Sequence, residues 1–146
     1  MKNKSDIIVK TTNKGISRII LNQPDNYNAL STSMMMSLIQ NFKNLSTDEK
    51  TKVIVIEGSG KGFCAGHDLK EVNSLKGKDD YLKLFNLCSE LMINIINNNK
   101  PVIAKVHGAA FAAGCQLVAT CDLAVSTNDA IFATPGVNIG LFCSTP

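Results

Sequence analysis

Apolar and polar positions along the chain fall into a few recognisable patterns, and each predicts an element. Ile7–Lys10 and Ile16–Leu21 are β-rich runs joined by Asn13-Lys14-Gly15, a hairpin signal. Asn22-Gln23-Pro24-Asp25-Asn26 stops the second run. After Ser31, an N-cap residue type, apolar side chains recur at Met34, Met35, Leu38, Ile39, Phe42 and Leu45. That spacing is helical, and it assigns the consecutive methionines to core packing. Val53-Ile54-Val55-Ile56 is continuously apolar, as a parallel strand covered on both faces would be. A long helix is predicted over Asp79–Asn98, with Leu84, Leu87, Cys88, Leu91, Met92, Ile95 and Ile96 on one face. Asn97-Asn98-Asn99-Lys100-Pro101 ends it. Val102–Val106 reads as a second buried strand and Gly108–Gly114 as a small-residue turn. Cys115–Cys121 reads as a short helix, Asp122–Val125 as a third strand and Ile131–Ala133 as a fourth. Strands alternating with helices predict an α/β class with parallel pairing, in one domain over 1–146.

Composition narrows the function classes. The 146 residues are 45% hydrophobic and 18% charged. That balance suits a globular chain burying roughly two thirds of its unfolded surface. The charge-free stretches 106–121 and 130–146 are shorter than the ~20 residues of a membrane span, and the first contains His107 and Gln116. No membrane partner is expected. The net charge is only +3, Arg18 is the sole arginine, and there is no Trp. Bidentate forks and stacking platforms for nucleic acid are therefore scarce, and that partner is set aside. Cys64, Cys88, Cys115, Cys121 and Cys143 contain no C-x-x-C. They read as buried reduced thiols, and they supply no zinc cluster with His107. No metal is expected. Lys2, Lys4, Lys10 and Lys14 precede no signal-peptide core and lack the arginines of a presequence. The reading is cytoplasmic, with a mitochondrial alternative for a eukaryotic member.

The chemistry centres on two glycine-containing strand-to-helix turns, Gly62–Glu71 and His107–Gln116. Gly58-Ser59-Gly60-Lys61-Gly62 is not a nucleotide loop. Phe63 stands where a dinucleotide fingerprint needs its third glycine, and no Ser or Thr follows Lys61. Two turns of this kind, side by side, leave unpaired backbone N–H groups that can form an oxyanion hole. From periodicity alone, two ordinary tight α/β turns are the favoured reading.

The residues in these turns resemble the crotonase superfamily, the enoyl-CoA hydratase/isomerase family. Gln23–Leu30 is similar to its P-x-x-x-N-A-L segment, and Phe63-Cys64-Ala65-Gly66-His67-Asp68-Leu69 to its F-x-A-G-x-D-L signature. Lys100–Ala104 with His107-Gly108, and Cys121–Ala124, match further family segments in order and spacing. Gly66–Glu71, Ala113–Leu117 and Thr134–Pro146 are similar to one branch of it. The resemblance implies the N-terminal part of a crotonase-like (ClpP/crotonase) ββα-unit fold. It implies an acyl-CoA thioester as ligand, with coenzyme A as part of the substrate and no separate cofactor. It also implies a homotrimer or a dimer of trimers. By position, the backbone N–H groups of His67 and Ala113 would form the oxyanion hole. Main-chain atoms of Ala65, His67 and Leu69 would line the adenine pocket.

Departures from the family pattern set further expectations. The two glutamates that hydratases use to hold and deprotonate water correspond to Gln116 and Gly136. Neither an amide nor a missing side chain can act as a general base. Ordinary hydration is therefore not expected. An enolate-stabilising enzyme with another reaction and a non-catalytic acyl-CoA binder stay open. Asp68 is expected to cap the next helix, and Glu71 to be a solvated or ion-paired first-turn acid. His67 is either a replacement base or a side chain turned away from the pocket. Lys70 is solvated or near a coenzyme A phosphate. His107 is expected to pack under the second turn. The chain is shorter than the family's catalytic unit, and a fragment is expected.

Overall fold

Ile7–Thr11 (β1) and Ile16–Leu21 (β2) form the expected antiparallel hairpin in the computed structural model, which describes residues 5–140. Ile7 lies opposite Leu21 and Thr11 opposite Ser17. Val53–Gly58 (β3), Val102–Val106 (β4) and Leu123–Ser126 (β6) continue the sheet in parallel, in the order β1-β2-β3-β4-β6. Thr32–Thr47 (α1) and Lys78–Ile96 (α3) pack against each other and fill the core. Ser31 caps α1, its hydroxyl accepting from the Met34 N–H at 3.2 Å. Met34, Met35, Leu38 and Phe42 are fully buried, as their spacing predicts, but Met36 is exposed, so the expectation of core packing is corrected for the third of the consecutive methionines.

Burial in the sheet alternates. Ser17, Ile19, Leu21, Ile54, Ile56, Val102, Ala104 and Val106 are buried. Val53, Val55 and Ile103 are only half-buried, and all of β6 is exposed. Among the described residues the central strands are thus fully covered on one face and partly on the other. The α1–α3 pair packs on one face, and the described residues leave much of the other open.

Ala109–Phe111 (β5) pairs in parallel with Ile131–Ala133 (β7), Ala109 opposite Ile131. The Gly108–Gly114 segment, expected to be all turn, thus holds a strand. Isolated bridges Leu30–His67 and Cys64–Ala110 extend this second layer across the first turn. Leu69–Ser74 (α2) and Ala113–Thr120 (α4) follow the two turns, and Pro24–Asn26 and Pro135–Ile139 form single 3-10 turns. Helix α4 starts two residues before its predicted start, because Ala113 and Gly114 give no apolar periodicity. Helix α3 stops at Ile96, which is exposed rather than on the buried face, and Leu87 is half-buried. Lys2, Lys4, Cys143 and the Leu141–Pro146 part of the family segment lie outside the described residues.

Candidate active site

The first turn runs as an extended segment between two partners, and its amides show how it is held. Phe63 and Cys64 donate to the Ala109 carbonyl at 3.0 and 3.1 Å, and Ala65 donates to Tyr27 at 3.0 Å. Asp68 donates to Leu30, and the Gly66 amide faces the Cys64 thiol. The His67 N–H finds no acceptor among the described residues. The carbonyls are tied as well, Leu30 N–H donating to Gly66 at 2.7 Å and Phe111 N–H to Cys64 at 2.9 Å.

The second turn brings a similar amide to the same place. Ala113 is the first residue of α4, so its N–H has no carbonyl four residues back, and no other described acceptor meets it. The turn before it is tightly bent. Ala112 sits at φ +47, ψ −121, a region that L residues rarely occupy, and its own N–H donates to Ala133 at 2.8 Å. Gly66, at φ +93, is where the turns touch. A Cβ on Gly66 would lie 3.0 Å from the Ala112 Cβ and 3.2 Å from the Ala113 nitrogen. Only glycine fits there. Gly114 is similarly constrained, because a Cβ would overlap the Cys64 carbonyl. These through-space contacts leave no local trace in sequence beyond the glycines themselves.

The other expected site residues lie around this contact. Ala65 is exposed and His67 half-buried. Leu69, 56% exposed, lines an open cleft of about 510 Å³ with Lys70, Val72, Asn73, Tyr81 and Ile139. Gln116 is buried on α4 one turn after Ala113, and Gly136 is buried in the 3-10 turn following β7.

The nearby carboxylates are engaged. Asp68 caps α2 by accepting from Lys70 N–H at 2.9 Å and Glu71 N–H at 3.3 Å, and it accepts from the Asn26 amide at 2.8 Å. Burial alone would raise its pKa, but these hydrogen bonds outweigh it and hold the carboxyl below its usual value. Glu71 is not a solvated acid. Its two oxygens accept from the N–H and hydroxyl of Thr32, which ties α2 to the start of α1.

The His67 ring meets Phe85 edge-to-face, with centroids 5.5 Å apart. Its Nδ1 is buried without a hydrogen-bond partner among the described residues. Burial pushes the imidazole below its ordinary pKa, against the opposing Leu30 backbone and Glu71 charge. His107 Nε2 contacts the Gly60 carbonyl at 2.9 Å, so it braces the approach to the first turn, where packing under the second was expected. Burial pushes the Cys64 and Cys121 thiols up to about 12 and Cys88 up to about 11. Cys115 and Cys121 are only part-buried, which corrects the expectation of uniformly buried thiols. Among the described residues, no three His, Cys, Asp or Glu side chains converge as a metal site requires.

With the geometry in hand, comparisons with known proteins fix the relationship. A family profile described as enoyl-CoA hydratase/isomerase matches residues 11–145. The chain is 49% identical over 132 residues to rat enoyl-CoA hydratase domain-containing protein 3, mitochondrial, covering 90% of this chain and 44% of that protein. The zebrafish protein of the same name is 52% identical, with 90% and 46% covered. Among solved structures, an enoyl-CoA hydratase from Mycobacterium smegmatis superposes with a TM-score of 0.94 at 48% identity, covering 97% of this chain and 55% of that one. The chain spans about half the length of the relatives it matches.

Proposed function

Because the chain belongs to the enoyl-CoA hydratase/isomerase family and has its fold, we propose that it binds an acyl-CoA thioester and stabilises the thioester enolate with the backbone N–H groups of His67 and Ala113. The observation that carries this reading is a pair of amides without an acceptor among the described residues, His67 next to Gly66 and Ala113 where the second turn packs against Gly66. An enolate concentrates charge on one oxygen, and each preorganised donor aimed at it contributes roughly a hundredfold or more in rate. Both donors are backbone, so His67 and Ala113 are compatible side chains at these positions. Main-chain atoms of Ala65, His67 and Leu69 would line the adenine pocket. Assembly as a homotrimer or a dimer of trimers belongs to the same proposal. The word "mitochondrial" in the relatives' names supports a mitochondrial location over the cytoplasmic one.

The reaction we propose is not simple water addition. Gln116 and Gly136 offer no base, and Asp68 and Glu71 are committed to helix starts. That commitment also favours a second reading, a binder without turnover. One experiment separates them. The full-length protein is offered a panel of enoyl-, acyl- and malonyl-type CoA thioesters, with binding and turnover measured in parallel. Turnover of a thioester other than by hydration supports the enzyme, and binding without turnover supports the binder. Binding of none contradicts both.

A further inference from the structure

The segment Asn26–Leu30 does more than lead into α1. Asn28 is fully buried and left-handed, at φ +55. Its side-chain amide donates to the carbonyls of Ser59 at 2.8 Å, Gly62 at 3.0 Å and Phe63 at 3.1 Å. Its side-chain oxygen accepts from the Gln23 N–H at 3.0 Å. One side chain therefore holds the loop between β3 and the first turn at three points. A helix cap or hairpin turn needs no such convergence. The neighbours continue the seam. Tyr27 accepts from Ala65, Leu30 pairs with Gly66 and Asp68, and Asn26 donates to the Asp68 carboxylate. The bonds that cross from this segment to the first turn fall on residues 59–68 and leave the His67 N–H uncommitted.

We propose that Asn28, assisted by Asn26, is a positioning residue that fixes the first turn so that the His67 N–H points at the bound thioester oxygen. This rests on the oxyanion-hole reading above. The chemistry requires an amide here. Three carbonyls converge on the Asn28 nitrogen, and a carboxylate would face them with acceptors only. Glycine would keep the left-handed backbone but remove the staple.

His67 and His107 are the two histidines of this chain, so in [15N]histidine-labelled protein the His67 amide is assigned as the signal that His67→Ala removes. Butyryl-CoA serves as probe on the full-length protein. In the wild type, saturation should move the His67 amide proton downfield as it gains an acceptor. In Asn28→Asp and Asn28→Gly, most of that displacement should be lost at saturating ligand. A purely structural Asn28 would lower stability yet leave the displacement intact, which overturns the proposal. If neither variant folds, Asn26→Ala decides, because Asn26 is exposed and its loss spares the core. A reduced displacement there supports the proposal, and an unchanged one overturns it. A wild-type His67 signal that stays put under saturation removes the oxyanion reading itself, and Asn28's role with it.

Discussion

Replacing Gly66 by alanine should destabilise the protein and close the candidate site together. At φ +93 an alanine bears about 1–2 kcal/mol of left-handed strain. Its Cβ would also press to 3.0 Å from both the Ala112 Cβ and the Phe111 carbonyl. Relieving that crowding by backbone shifts adds about 1–3 kcal/mol. The stiffer unfolded chain returns up to about 1 kcal/mol. The net loss is about 1–5 kcal/mol, a large share of a typical domain stability of about 5–15 kcal/mol. Gly140→Ala is the matched control. Gly140 has φ +72, but no atom of the described residues lies within 4 Å of where its Cβ would stand, so among them only the conformational cost applies. Urea unfolding of both variants, at unchanged m, isolates the packing contribution as their difference. The Cβ at position 66 would also sit 3.2 Å from the Ala113 nitrogen, so acyl-CoA binding should be lost in Gly66→Ala and kept in Gly140→Ala. Equal losses of stability in the two variants would refute the turn-to-turn contact.

Further predictions follow from neighbouring residues. Ala112→Gly should raise stability by about 1 kcal/mol, read as a higher melting temperature, because glycine accepts φ +47 without strain. The His67 pKa is held below 6.5 by burial, so the unfolded chain binds more protons just below that pH. Its contribution to stability should therefore fall as pH drops below 6.5 and level off beneath the folded pKa, and His67→Phe should flatten that slope in denaturant titrations. Asp68 shifts in the same direction for a different reason, its carboxyl being lowered by hydrogen bonds that outweigh burial, so its stabilisation is present above its usual pKa and lost as pH falls through the folded value. Asp68→Ala should cost about 1 kcal/mol at neutral pH by loss of the α2 cap. Crotonyl-CoA hydration should be far slower than roughly 1 per second, an ordinary enzyme rate. Hydration at that rate would show that the missing carboxylates are not needed. The 146-residue chain alone should self-associate in sedimentation experiments, because Leu123, Val125, Ile131, Phe132 and Val137 are exposed apolar residues on adjoining elements.

Much of the fold is legible in sequence where periodicity is strong. The α1 register from Met34 to Leu45, its Ser31 cap and the β1–β2 hairpin follow from spacing and residue type. Asp68 as a cap follows from its place before a short helix. What escapes is information held between distant segments. Apolar runs cannot say whether a strand is covered on one face or two, and Val53–Ile56 is covered fully on one. Small residues carry no period, so β5 and the start of α4 are hidden inside a glycine–alanine stretch. Glu71 looks like any first-turn acid until Thr32, 39 positions earlier, meets it. The candidate site divides in the same way. The two turns are visible as motifs, whereas the contact of Gly66 with Ala112 and Ala113 exists only in space.

The carbonyl stretch of a bound thioester tests the central claim most directly. Carbonyl-labelled butyryl-CoA on the full-length protein is followed by difference infrared spectroscopy, with binding measured separately. A lower stretching frequency than in water is expected, because the His67 and Ala113 N–H groups would polarise the carbonyl. Ala113→Pro removes one donor at a helix position that tolerates proline, and the shift should shrink. His67→Ala keeps its N–H, and the shift should persist. A wild-type carbonyl that binds without shifting would contradict the account.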